Sequence, residues 1–167
     1  LKVVQDLFPD KKVAFTEGCV EYSKFTSDNH LANARMYAHD MIGNINNGAV
    51  FLINWSILFN SQGGPNHVQN WCEAPVMYDE KTDTLEKKLS FEYIRHFSGY
   101  LPEGSVRIAL SRYTDEIEGT AALRPDGSIA VILMNRTASE KNVYLRMEGE
   151  TAGLVLPGDS IVTAVIE

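Results

Sequence analysis

The chain has 167 residues, with 22 acidic side chains against 15 basic ones and a formal charge of −7 at neutral pH. That field repels a polynucleotide and no Lys/Arg run interleaved with aromatics offsets it, so no nucleic-acid partner is expected. Apolar residues at 44% and charged residues at 22% suit a folded protein, and the longest apolar-rich run, 48–59, falls short of the roughly 20 residues of a membrane-spanning helix, so no span is expected.

In chain order, 11–17 (KKVAFTE) reads as a short strand buried on both faces: an apolar run flanked by lysines and closed by a polar residue. A polar loop over 23–29 leads into a helical pattern over about 28–46. Leu31, Ala34, Ala38, Met41, Ile42 and Ile45 recur there at three-and-four spacing, and Gly48 supplies the stop. A second buried strand, 48–54 (GAVFLIN), runs into Trp55 and Leu58. A long Gly/Pro/Asn loop over 60–75 follows, then a helix over about 84–100 carrying Leu85, Leu89, Tyr93, Phe97 and Leu101 at four-residue intervals. Parallel strands need helical crossovers, so these two βα units belong to an α/β sheet or barrel, and two units cannot close a barrel of eight.

Past Pro102-Glu103-Gly104 the period changes to two. Runs at 106–112, 119–123, 128–134, 142–147 and 160–166 read as strands, the second and third joined in a hairpin by the Arg124-Pro125-Asp126-Gly127 turn. Val143, Leu145 and Met147 alternate with Tyr144 and Arg146, whereas 129–134 is apolar on both faces. An antiparallel β-sandwich is expected over 104–167, after an α/β part over 1–103. No internal repeat or low-complexity segment interrupts either part.

Chemistry-bearing residues are few. Cys19 and Cys72 sit in no CxxC or Cys/His spacing, and His30, His39, His67 and His96 are scattered, so no metal or other cofactor is expected. Gln62-Gly63-Gly64-Pro65-Asn66 lacks the Gly-Lys-Ser/Thr ending of a phosphate loop, which argues against nucleotide binding. Two glycosylation sequons occur, at Asn54 and Asn135. The first falls in a predicted buried strand, the second at a predicted loop, and both read as chance occurrences. Glu17 stands out because it closes a buried strand and opens a glycine turn, the position where α/β barrels hold their reacting groups; the plain alternative is a loop cap. Trp55 ends the second strand, and if the two strands are close its indole lies near that carboxylate, as a platform for a sugar ring or simply as core.

Several segments occur in a fixed order: Phe15-Thr16-Glu17-Gly18-Cys19, Asn54-Trp55-Ser56-Ile57-Leu58, Gln62-Gly63-Gly64-Pro65-Asn66-His67-Val68, Ala74-Pro75-Val76-Met77-Tyr78-Asp79, Tyr93-Ile94-Arg95-His96-Phe97-Ser98, and Pro102-Glu103-Gly104-Ser105. With Arg124-Pro125-Asp126-Gly127-Ser128, Leu133-Met134-Asn135-Arg136-Thr137 and Pro157-Gly158-Asp159-Ser160-Ile161 they cover nearly the whole chain. The ensemble resembles glycoside hydrolase family 30, in its glucosylceramidase branch. The resemblance implies the last two βα units of a (β/α)8 TIM barrel followed by a β-sandwich side domain, in a retaining enzyme that cleaves a β-glucoside such as glucosylceramide or a β-glucan. Glu17 falls on the family's nucleophile, Trp55 on the tryptophan lining the sugar subsite, and Asn70 on an asparagine at the active-site mouth. Ser56 and His67 depart from the common pattern, which touches aglycone preference.

Retention needs a second carboxyl roughly 5–5.5 Å from the nucleophile. In the family it lies in an Asn-Glu-Pro motif, a tripeptide this sequence does not hold. Glu21 and Glu73 can be nominated, but both fall in predicted loops and neither matches the family acid. The expectation is therefore the C-terminal portion of a longer enzyme, inactive alone. Its strands around Val13 and Val50 would show open edges and pair with the remaining barrel or another copy of the chain. The rival reading is a non-catalytic carbohydrate-binding or structural module. No export signal is legible, and nothing in the sequence fixes the compartment.

Overall fold

The first of two units, Leu1–Ser98, runs α1 (Lys2–Leu7), β1 (Val13–Phe15), β2 (Val20–Glu21), α2 (His30–Asn46), β3 (Ala49–Leu52), β4 (Leu58–Asn60), β5 (Cys72–Glu73), β6 (Val76–Asp79), β7 (Thr84–Lys87) and α3 (Leu89–Ser98). The computed structural model describes residues 2–22 and 29–167. Most of the polar loop expected over 23–29, and the helix start expected near Asp28, lie outside the described residues. Asn29 is the N-cap of α2, its side chain accepting from Ala32 N at 3.1 Å. Gly48, at φ +83°, follows the C-cap Asn47 and turns the chain out of the helix as expected.

β1 and β3 pair in parallel, Val13 opposite Ala49 and Phe15 opposite Leu52, with α2 as the crossover, so the strand-helix-strand unit stands. Burial on both faces does not. β1 is half-buried throughout, and Val50, Phe51 and Ile53 are exposed. The physical reason is that these strands form a two-stranded sheet among the described residues, leaving each with an open edge.

The second half of this unit is richer in strand than its sequence suggests. The expected 60–75 loop begins at the end of β4 and contains β5. β6 pairs in parallel with β4 and antiparallel with β7. The helix expected from about 84 to 100 is instead β7 and then α3. Leu85 is exposed on the edge strand β7, and of the four-spaced row only Tyr93 and Phe97 are buried. The tight turn before β7 is what overrides the periodicity: Asp79 accepts from Lys81 N and Thr82 Oγ1, both at 2.9 Å, and Asp83 adopts φ +53°.

Glu73 ties these elements together. It has no exposed surface; Oε2 accepts from Asn33 Nδ2 of α2 at 2.8 Å and Oε1 from Ser90 Oγ of α3 at 2.7 Å. Its main-chain oxygen accepts from Tyr37 Oη of α2 at 2.8 Å. One residue of β5 thereby anchors both helices, which pack against each other.

The second unit, Gly99–Glu167, contains β8 (Val106–Ile108), β9 (Ile117–Leu123), β10 (Ile129–Asn135), β11 (Lys141–Met147), β12 (Glu150–Leu156) and β13 (Ile161–Ile166). An antiparallel sheet in the order β13-β10-β9-β8 faces the hairpin β11-β12. Ala121, Val131 and Leu133 of the larger sheet share a core with Leu156, Val143, Leu145 and Leu154 of the smaller. The doubly apolar run in β10 is buried along its whole length from Ala130. The 124–127 turn forms as expected, with Arg124 N bonded to Ser128 O at 2.8 Å and Gly127 at φ +88°. β12 was not anticipated. Its hairpin turn is Glu148-Gly149, both at positive φ, a sequence outside the Asn-Gly and Asp-Gly pairs that usually announce this turn.

Asn135 closes β10 rather than lying in a loop. It is fully buried; Nδ2 donates to Ser139 O (2.8 Å) and Pro157 O (2.9 Å), and Oδ1 accepts from Thr137 N (3.0 Å). The sequon amide is thus committed to the fold.

Two substitutions test these anchors. Glu73→Ala removes the acceptor for two buried donors, a loss of about 2–6 kcal/mol at about 1–3 kcal/mol each. Trp55 and Trp71 both lie in the first unit, so tryptophan fluorescence during urea unfolding should show a lower midpoint. Asn135→Asp turns a carboxylate toward two carbonyl oxygens and should cost about 3 kcal/mol, read by thermal unfolding in far-UV circular dichroism.

Candidate active site

Glu17 lies two residues beyond β1, with its side chain exposed. The β1–β3 pairing continues past the strands through two main-chain bonds: Ile53 N donates to Phe15 O at 2.8 Å and Trp55 N to Gly18 O at 2.7 Å. The segments bearing Glu17 and Trp55 are therefore held side by side at the carboxyl ends of neighbouring parallel strands. Gly18 permits this turn. A Cβ there would come within 2.6 Å of the Phe15 ring, so a larger residue would require that ring or the turn to shift. The half-buried Asn54 lies beside it, Oδ1 3.7 Å from that Cβ position.

Trp55 is half-buried. It packs with Cys19 on the cluster of Phe59, Cys72, Ala74 and Met77, its ring centroid 6.5 Å from that of Phe59 at 53°. It is thus anchored in core while keeping exposed surface. The Trp55–Ser56 and Gly64–Pro65 peptides are cis. Asn70, also half-buried, meets this cluster through its main chain, accepting from Cys72 Sγ at 3.2 Å. Cys72 Sγ lies 2.8 Å from Cys19 Sγ, two residues from Glu17. The structure thus joins Glu17 and Trp55 through backbone and reaches Asn70 through the two thiols.

The electrostatics around this pair are set by burial and by acidic neighbours. Burial first, then the Cys19 hydrogen bond and the charges of Cys19, Glu21 and Glu17, push the Cys72 thiol up to about 12. Burial and the Glu73 carboxylate hold the Tyr22 phenol at about 12. Burial raises Tyr37 above its ordinary value, against the main-chain contact with Val20 that lowers it. All three groups are neutral at pH 7. Among the described residues no three His, Cys, Asp or Glu side chains converge on a metal position.

Of the nominated carboxyls, Glu73 is closed off by burial and by the bonds at both its oxygens, so it anchors helices and does not face substrate. Glu21 lies in β2, half-buried, directly opposite Cys72. The positioning residues Asn33, Tyr37 and Ser90 escaped the sequence reading because an apolar row was sought. Asn33, Tyr37 and Met41 form a buried row of α2 at four-residue spacing, so helical spacing with polar residues admitted would have found Asn33 and Tyr37.

Residues 1–101 match the family model of the glycosyl hydrolase family 30 TIM-barrel domain, and residues 104–164 that of the family 30 β-sandwich domain. The lysosomal acid glucosylceramidase of Mus musculus is 35% identical over 165 residues, 94% of this chain and 32% of that protein. The solved structure of SrfJ from Salmonella typhimurium superposes with a TM-score of 0.90 at 34% identity, over 98% of this chain and 37% of that one. The endo-β1,6-glucanase BT3312 shares the fold at a TM-score of 0.85 and 23% identity, over 99% of this chain and 37% of that one. The chain spans about a third of the length of these relatives. It belongs to glycosyl hydrolase family 30, carrying part of the TIM barrel together with the β-sandwich domain.

Proposed function

We propose that this chain is the nucleophile-bearing part of a retaining β-glycosidase acting on β-glucosides, either glucosylceramide-like glycolipids or β-glucan. Glu17 is the nucleophile, and Trp55 and Asn70 belong to the sugar subsite. The observation that carries the reading is the 2.7 Å bond from Trp55 N to Gly18 O, which holds the segments bearing an exposed glutamate and a half-exposed tryptophan side by side at adjacent parallel strand ends. The names of the mouse glucosylceramidase and the β1,6-glucanase support the substrate class.

In this mechanism a Glu17 oxygen attacks the anomeric carbon as a second carboxyl protonates the departing glycosidic oxygen. That second group then deprotonates the water that releases sugar from the glycosyl-enzyme, which requires the two carboxyls to lie about 5–5.5 Å apart. The acid belongs to the remainder of the barrel. The one-third span against relatives supports this, as do the open edges of β1 and β3 and the exposed Val50, Phe51 and Ile53, which offer that remainder an apolar docking surface.

The test uses an aryl β-glucoside. The 167-residue chain alone should turn nothing over. With the rest of the barrel supplied, a 2-fluoro-glucoside should label the peptide holding Glu17, and Glu17→Gln should lower kcat/KM by about 10³-fold or more. Undiminished turnover by Glu17→Gln would remove Glu17 from the nucleophile's role. Recovery of turnover by concentrating the chain alone would instead point to a second copy as the partner.

A further inference from the structure

We propose that Cys19 and Cys72 form a thiol–disulfide exchange site, which a low-molecular-weight disulfide closes into a bridge between the turn that follows Glu17 and the segment that follows Asn70. The two thiols are 53 positions apart in sequence, yet their sulfurs lie 2.8 Å from each other, within 1 Å of the roughly 2.05 Å of a covalent S–S bond. The approach is built into the fold. β2 and β5 pair antiparallel with Val20 opposite Glu73 and Glu21 opposite Cys72, so Cys19, the residue before β2, stands diagonally across the ribbon from Cys72. Tyr37 Oη clamps the same ribbon, accepting from Val20 N at 3.4 Å and donating to Glu73 O at 2.8 Å. Cys72 N is further held by Gly63 O at 3.1 Å.

The two sulfurs differ in access, which assigns their roles. Cys19 is half-buried and Cys72 has no exposed surface, so the reagent meets Cys19 first. The Cys19 thiolate attacks one sulfur of the reagent disulfide and expels a thiolate. Cys72 then attacks the Cys19 sulfur of that mixed disulfide, gives its proton to solvent and expels the second half. Both protein thiols are oxidised, and the reagent is reduced to two thiols. Burial first, then the Cys19 hydrogen bond and the acidic neighbours, keep Cys72 protonated, which makes the second step the slow one and favours it as pH rises. The bridge ties together the main chains on either side of the proposed sugar site, but its formation does not depend on the chain's being a glycosidase.

The experiment incubates the folded full chain with glutathione disulfide, blocks remaining thiols with iodoacetamide and maps the peptides. The expected result is a cross-linked pair of peptides holding Cys19 and Cys72, reversed by dithiothreitol, in a protein whose melting temperature exceeds that of its reduced form, since a bridge over a loop of this length restricts the unfolded chain. Cys72→Ser and Cys72→Ala should each stop at glutathionylated Cys19. A stable mixed disulfide on Cys19 of the unsubstituted chain, two thiols that stay open to alkylation, or a cross-linked form that melts lower than the reduced one would each overturn the proposal.

Discussion

Two main-chain hydrogen bonds, Ile53 N to Phe15 O and Trp55 N to Gly18 O, extend the β1–β3 ladder beyond its regular residues. Each is worth only about 1 kcal/mol net against water, but together they remove the freedom of the turn that carries Glu17. A carboxylate on an unpaired loop would sample many positions, and reaction rates fall steeply when a reacting group strays by an ångström. Gly18 is where this constraint meets the chain's sterics. The turn folds back over the Phe15 ring closely enough that a Cβ at this position would require the ring or the turn to shift. The motif Thr16-Glu17-Gly18-Cys19 is therefore a physical unit: one residue to carry the carboxylate, one to let the turn close, and one to root it in the cluster beneath.

Three glutamates occupy this region, and their surroundings divide the roles. Glu73 is sealed, its oxygens used by α2 and α3, and it acts as a polar rivet that sets how the two helices meet the strands. Glu21 is held in the β2–β5 ribbon. Glu17 is exposed, at the turn that follows β1. The proposed nucleophile is thus the one of the three that the described residues leave on the surface. Burial raises the Tyr22 and Tyr37 phenols above their ordinary values, and Glu73 adds a smaller upward push to each.

The sequence pattern located the elements whose signals are local. Gly48 ends α2 as expected, and Arg124–Gly127 makes its turn. It misjudged features that depend on what covers a surface. The runs 48–54 and 129–134 look alike, apolar with no alternation, yet β10 is buried and β3 is exposed; periodicity records which faces are apolar, not what lies against them. The row from Leu85 to Leu101 failed for another reason. Asx geometry at Asp79 and the left-handed Asp83 commit 84–87 to a hairpin, which a four-residue interval cannot register. At the candidate site, the neighbouring strand ends that carry Glu17 and Trp55 were legible because a strand-helix-strand unit can be read from sequence. The closeness of Cys19 to Cys72 was not, because it depends on a pairing across 53 positions.

The position of Asn70 rests on the stretch before it. Asn60 is the hub: Oδ1 accepts from Gln62 N and Gly64 N, and its own N–H reaches Gly64 O at 2.6 Å. Gly63, at φ +89°, lies so close to Cys72 that a Cβ would meet its carbonyl oxygen at 2.5 Å, and Trp71 covers Gly64. Tyr22 N in turn bonds Trp71 O at 2.8 Å. The glycine-rich stretch that resembled a phosphate loop is therefore a compact turn packed against β5. Its glycines admit neighbouring backbone and an indole rather than a ligand's oxygens. Because the turn and the ribbon hold each other, Asn70 is fixed from behind by main-chain bonds, and the position of the proposed sugar subsite follows from the same β2–β5 pairing that brings the two thiols together.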